Sequence, residues 1–272
     1  MMPLRRTVAA WLPGVLAAAC WPLPTAAVAA QDPGAPPPSR TVCGDYEAIA
    51  TGSVGTRPTR LLLQRKGRVL TTVTDWAITG VTCADLTGDR QPELLAETFN
   101  GGAHCCGRVR VWSLAARPRL LLDYAAGNAP GATLRDLDGD GRQELLLGDD
   151  GLAYFDDLDY ASSPSGVPLV VCFNEGAFRD CSAEHPEVLR EAGMRFRDRL
   201  DRRATPETAP RVRGGALGLL AVSMILGEEA SALAVVREAT QDEELLAWLA
   251  RVRPKLLVWA EARGRKLKRP GS

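Results

Sequence analysis

Between Cys43 and Ser182 the apolar residues come in short runs, and clusters of Gly, Pro, Asn and Asp separate them. This pattern predicts strands at Arg60–Gln64, Arg68–Thr74, Gly80–Ala84, Glu93–Thr98, Arg108–Leu114, Arg119–Tyr124, Glu144–Gly148 and Val167–Phe173. Arg108-Val109-Arg110-Val111-Trp112 alternates polar and apolar positions, as a half-buried strand does. After Ser182 the period changes. Pro186 stands where the first turn of a helix tolerates proline, and Val188, Leu189, Ala192, Phe196 and Leu200 follow at helical spacing. A turn is expected around Thr205–Pro210. The apolar run Gly214–Gly227 is 14 residues long, too short to span a bilayer, and reads as a buried core helix. Asp242, Glu243 and Glu244 then place acids at the positive end of a further helix, whose apolar face is Leu245, Leu246, Trp248, Leu249 and Val252. Pro254 is expected to kink or break that helix before Leu256–Ala262. The fold class is therefore α+β, with an all-β region over residues 41–182 and an α-helical domain with a basic tail over residues 183–272.

The first forty residues stand apart. Arg5 and Arg6 precede a mostly apolar stretch, Val8 to Leu23, and the small residues Ala26–Ala30 offer a cleavage site. Residues 1–30 thus read as an export signal, with a periplasmic or extracellular destination. A competing reading makes Cys20 the lipidated residue of a lipoprotein signal. Residues 31–40 form a Pro-rich linker. Without the signal the chain carries 31 basic and 33 acidic residues (33 − 2 and 33 − 0), near balance. Residues 31–182 hold 20 acids against 14 bases, and residues 183–272 hold 13 against 17. That split suggests a charge-complementary interface between the two regions. Basic residues are not interleaved with aromatics on a strand platform, so nucleic acid is not an expected partner. Arg263, Arg265, Lys266, Lys268 and Arg269 near Trp259 could touch an anionic envelope surface, or else stay solvated at a helix's negative end.

Export changes the meaning of the cysteines. Six remain after the signal, Cys43, Cys83, Cys105, Cys106, Cys172 and Cys181, and an even number in an oxidising compartment points to disulfides. Cys172 and Cys181 flank a hairpin turn at Asn174-Glu175-Gly176 and are expected to pair. Cys43 and Cys83 are then expected to take Cys105 and Cys106, in an order the sequence leaves open.

Candidate chemistry is concentrated in an acidic loop that occurs twice, 51 residues apart. The second copy carries Asp136, Asp138, Asp140 and Glu144 at relative positions 1, 3, 5 and 9, with Gly139 and Gly141 at the bend and the carbonyl of Arg142 as a further oxygen. Four carboxylates so close repel one another unless a cation joins them, and an all-oxygen donor set at this spacing suits Ca2+. The first copy offers Asp85, Thr87, Asp89, the carbonyl of Gln91, and Glu93. It has one carboxylate fewer and the cation Arg90 nearby, so weaker binding is expected. Asp149-Asp150 and Asp156-Asp157 with Asp159 read as solvated turns, with a third weak cation loop as the alternative.

The strand, DxDGDGxxEL loop, strand arrangement resembles the FG-GAP/VCBS repeat family over Val81–Leu95 and Thr133–Leu147. The resemblance implies calcium-binding β-propeller blades, with ligands falling on Asp136, Asp138, Asp140, Arg142 and Glu144, and in the first copy on Asp85, Asp89, Gln91 and Glu93, with Thr87 in the remaining place. The chain departs from the pattern at Glu144 and Glu93, where aspartate is usual. It also lacks a clear Phe-Gly and Gly-Ala-Pro pair, with Asn128-Ala129-Pro130-Gly131 only faintly similar. Gly101–Cys106 resembles a segment of exported bacterial proteins with such repeats. A closed propeller needs at least about four blades, whereas two to three units fit here. The helical region is expected to cover the resulting open face, with assembly of several chains as the other solution.

The function these features imply is a non-catalytic binding or structural module of the envelope or extracellular space, its partner an unspecified protein or envelope component. The rival is a secreted hydrolase using His104 or His185, the two histidines of the chain. No Gly-x-Ser-x-Gly elbow accompanies either. His104-Cys105-Cys106 lacks the spacing of a zinc site and reads as part of a disulfide scaffold.

Overall fold

Twelve strands among the described residues form three antiparallel sheets, each a meander of four strands hydrogen-bonded in sequence order. The computed structural model describes residues 40–51, 59–103, 105–129, 131–201 and 204–267. The expected signal with Cys20, nearly all of the linker, His104, Pro130, Lys268 and Arg269 lie outside these residues. The first sheet contains β1 (Thr41–Cys43), β2 (Tyr46–Thr51), β3 (Thr59–Arg65) and β4 (Arg68–Asp75). The second contains β5 (Ala77–Ala84), β6 (Glu93–Phe99), β7 (Gly107–Ser113) and β8 (Arg119–Gly127). The third contains β9 (Thr133–Arg135), β10 (Glu144–Asp149), β11 (Val167–Asn174) and β12 (Ala177–Asp180).

Side-chain alternation stacks the sheets. Leu94 and Ala96 of β6 pack with Leu61, Leu63 and Tyr46 of the first sheet. Leu95, one position out of phase, packs with Leu145, Leu147 and Leu169 of the third. β6 is thus buried on both faces, which explains its nearly continuous apolar run. On the far side of the third sheet Leu146, Val170 and Cys172 meet Val188 of the first helix.

Four helices follow: α1 (Pro186–Arg197), α2 (Ala209–Ile225), α3 (Glu229–Thr240) and α4 (Glu243–Ala262). Their core takes in Leu152, Leu158 and Val167 from the β region, so helices cover the outer face of the third sheet. The glycines of α2 permit this packing. A Cβ at Gly214 would lie 1.7 Å from the Ser162 carbonyl oxygen, and one at Gly218 would lie 2.5 Å from the Phe196 ring. The interface carries the suggested charge complementarity: Arg213 pairs with Asp157 at 3.0 Å and Lys255 with Asp156 at 2.6 Å. No helix among the described residues is long and apolar enough to cross a membrane.

Several expectations need correction. Pro210 lies inside α2 rather than in a turn, at the first-turn position where a missing N–H costs no bond. α4 is not broken by Pro254, because Val252, Leu256 and Trp259 on either side are all buried and hold one continuous apolar face. α3 was not foreseen; its buried residues are only Ala232, Val236 and Thr240, too few for a periodic signal. The strands β1, β2, β9 and β12 were also not assigned from the pattern. β1 and β9 have three residues each, too short to show a period.

The cysteine pairing differs in part from expectation. Cys172 and Cys181 pair as foreseen, with Cα atoms 5.9 Å apart. Cys43 pairs with Cys83 (Cα atoms 5.7 Å apart), and the neighbours Cys105 and Cys106 pair with each other. The register gives the reason. Cys83 lies opposite Leu94 at one end of β6, whereas Cys106 adjoins Gly107, opposite Phe99 at the other end. Five residues at ~3.3 Å each separate these ends by about 17 Å, well beyond disulfide reach.

Candidate metal centre

Both acidic loops are the hairpin connections between the first and second strands of their sheets. In the second sheet Ala84 pairs with Glu93, and in the third Arg135 pairs with Glu144. The glutamate is thus the first residue of the outgoing strand in each. It is also buried: Glu93 is 1 % exposed and Glu144 5 %.

The two loops share one hydrogen-bond frame. In the later loop the Leu137 amide donates to Glu144 Oε2 (2.8 Å), Gly139 N–H to Asp136 Oδ1 (2.7 Å) and Gly141 N–H to Asp136 Oδ2 (3.1 Å). The earlier loop repeats this with Leu86 N–H to Glu93 (2.8 Å), Gly88 N–H to Asp85 Oδ1 (2.7 Å) and Arg90 N–H to Asp85 Oδ2 (2.8 Å). Gly88, Arg90, Gly139 and Gly141 all take positive φ, which costs Arg90 some strain that glycine at 141 avoids.

Oxygen atoms of Asp136, Asp138 and Glu144 lie within 4.8 Å of one another. These hard, anionic donors are of the kind that suits Ca2+, and the group contains three of the expected residues, without Asp140. Asp140 is partly engaged already. Arg142 Nε donates to its Oδ2 at 2.7 Å, and this guanidinium holds the carboxyl below the usual carboxylate range. In the earlier loop Thr87 replaces the acid that corresponds to Asp138, and its hydroxyl faces Glu93 Oε1 at 3.4 Å. Among the described residues Asp85, Asp89 and Glu93 form no comparable cluster. Burial pushes the Glu93 carboxyl up to about 7, with Asp89 and Asp85 adding repulsion. The loops also touch: a Cβ at Gly88 would lie 2.5 Å from Arg142 Cδ. Leu145 and Leu147 are buried in the strand core, and Leu137 packs beside Leu146.

Next to the later loop is a small cavity of about 160 Å3, lined by Asp138, Glu144, Cys172 and His185 among others. His185 Nε2 faces Cys172 Sγ at 3.8 Å and Nδ1 faces Glu187 at 3.7 Å. Its ring thus addresses a disulfide and an exposed acid rather than a serine hydroxyl.

Of the other acids expected in solvated turns, Asp157 and Asp159 are exposed, but the side chains of Asp149 and Asp156 are not. Asp149 is fully buried and lies 3.6 Å from Arg263, which is itself 1 % exposed. The Lys255 ammonium beside Asp156 holds that carboxyl low, and Trp248 Nε1 also donates to it at 3.0 Å. Asp156 is therefore an interface residue rather than part of a third cation loop. Arg263 opens the 3-10 helix Arg263–Leu267, whose Leu267 is buried with the strand core. Arg263 is thus buried rather than solvated, whereas Arg265 is exposed.

Sequence reasoning also missed Glu97. It sits on β6, is 6 % exposed and faces the third sheet, where the Ala132 amide donates to Oε2 at 2.9 Å. The available signal was an acid at an inward position of a strand apolar on both faces. Burial raises the Glu97 carboxyl above its usual 4.5. Its contribution is thus fully present below about pH 4.5 and is lost as pH rises through the elevated value. Arg108 is the charged side chain that shares its cavity. Glu97→Gln is expected to raise the unfolding temperature near pH 8 and leave it unchanged near pH 4, as scanning calorimetry at the two pH values would read. No protein-family model matches the chain, and no curated protein matches it significantly.

Proposed function

We propose that this chain is an exported, non-catalytic binding or structural module of the cell envelope or extracellular space, built from propeller-blade-like sheets of the FG-GAP/VCBS kind and stapled by calcium. The observation that carries the reading is the repeated loop frame, with the same backbone donors on Asp85 and Asp136, and on Glu93 and Glu144, at the same register in consecutive sheets. The stacking of three four-stranded meanders under a helical cover supports it, since each sheet presents one face to the next layer. Calcium in the Asp136–Glu144 loop would neutralise acids held together at a hairpin and so act as a staple. Sites in exported modules bind in the ~10⁻⁴–10⁻³ M range and remain filled, so a structural role follows rather than a sensory one.

Calcium at 100 times its dissociation constant should stabilise the oxidised protein by ~2.7 kcal/mol. For a chain of this size that raises the unfolding temperature by roughly 5–10 °C. The shift should disappear with excess chelator and in Asp138→Ala. An unfolding temperature indifferent to calcium would reduce these loops to acidic turns and remove the basis of the reading.

A further inference from the structure

A second cavity, unconnected with the calcium loops, lies over Glu97. It encloses about 360 Å3, within the range of small-molecule sites. The Glu97 carboxyl forms part of its lining. Oε2 accepts the Ala132 amide, and among the described residues Oε1 accepts no hydrogen bond. The backbone closes on this carboxyl from two sides. A Cβ at Gly131 would lie 2.0 Å from Oε2, and one at Gly80 would lie 2.8 Å from Oε1. The fold therefore makes room for an acid at this point by leaving out two side chains.

Among the described residues no cation pairs with this carboxyl. Arg108 also lines the cavity, but its guanidinium is committed to Asp123, with Nε 2.5 Å from Oδ1 and a terminal nitrogen 2.9 Å from Oδ2. Buried charges are ordinarily paired, so an acid held over a cavity without a cation selects a ligand that supplies one. A divalent metal does not fit, because among the described residues Glu97 is the single carboxylate in the lining and such ions require several anionic oxygens. Val109, opposite Glu97 across the β6–β7 pair, gives the lining apolar surface together with Ala126 and Ala129, beside the polar Thr79, Thr98 and Asn128.

We infer that this cavity binds a small organic cation, a primary ammonium on a short apolar stem, with the ammonium at Glu97 Oε1 and the stem against Val109, Ala126 and Ala129. The inference gives a ligand class to the binding module proposed above. It shares no residue with the calcium loops, so either can fail alone.

The test is titration of the oxidised protein with n-butylammonium near neutral pH, with n-butanol as the neutral isostere, and calcium-induced stabilisation recorded on the same preparation. Saturable butylammonium binding is expected, with a Kd on the order of 1 mM for so small a ligand. Butanol should bind at least tenfold more weakly, and Glu97→Gln should weaken the ammonium by about tenfold or more. Ala103→Trp, at the exposed rim, should block binding while leaving the acid intact, which keeps the test decisive if Glu97→Gln unfolds. No saturation at about ten times the expected Kd would overturn the proposal. Equal affinity for butanol would overturn the cationic ligand class, and undiminished binding to Glu97→Gln or Ala103→Trp would place the site elsewhere.

Discussion

Replacing Arg263 with alanine is expected to destabilise the protein by about 3–5 kcal/mol, the usual cost of removing one member of a buried ion pair. The guanidinium is 1 % exposed and lies 3.6 Å from Asp149 and 3.7 Å from Asp180. It also donates to the Pro168 carbonyl and sits 5.1 Å from the centre of the Trp259 ring. Burial lowers the affinity of Arg263 for its proton, and the acids oppose that loss. Beside it, burial and Asp149 push the Tyr124 hydroxyl upward, while its proton is donated to the Gly148 carbonyl at 2.9 Å. One side chain thus joins the end of α4 to three strands of the third sheet. Its deletion leaves Asp149 in the interior without this cation and opens a cavity as well. Chemical denaturation of Arg263→Ala would measure the loss. Asp149→Asn combined with Arg263→Met should recover part of it, since a neutral pair need not be solvated. A loss below about 1 kcal/mol would show that the pair contributes no more than a surface bridge.

The second large effect is expected from the Cys43–Cys83 disulfide, which bridges β1 and β5 and so ties the first sheet to the second. The paired residues are 40 apart in sequence. The chain-entropy relation for a loop of that length gives about 4 kcal/mol. The double variant Cys43→Ser, Cys83→Ser should lose about that much in denaturant unfolding. Hydrogen exchange should accelerate first in β1 to β4. Cys105→Ser with Cys106→Ser should be far milder, because the vicinal pair closes no chain segment that the unfolded state could otherwise explore. Equal losses from the two double variants would mean that loop closure is not the source of the stabilisation.

The contrast between these pairs shows where the sequence was informative. Eight strands, the boundary after Ser182, the helices at Pro186 and Asp242 and the Cys172–Cys181 pair follow from local pattern, because local forces produce them. Asp242 opens its helix as expected, and its carboxylate also caps it by accepting the Leu245 amide at 3.0 Å. The DxDGDGxxEL spacing was legible for the same reason: its donors and acceptors lie within nine residues of one another. What stayed hidden depends on contacts distant in sequence. Arg263 belongs to a run of cations that looks solvated, and only the packing of α4 against Asp149 and Asp180 makes it a core residue. Glu97 is one acid within a predicted strand, and its burial follows only once both faces of β6 are covered. The pairing of Cys43 with Cys83 depends on how the first sheet stacks on the second, which a sequence of strands does not specify.

Calcium binding by the Asp136–Glu144 loop is tested most directly by titrating calcium calorimetrically into chelator-stripped, oxidised protein, wild type and Asp138→Ala in parallel. The expected result is saturable heat with a Kd in the ~10⁻⁴–10⁻³ M range for the wild type, and loss of that transition in the variant, leaving at most the weaker loop at Asp85–Glu93. Absence of calcium-dependent heat, or an identical transition in Asp138→Ala, would contradict the account.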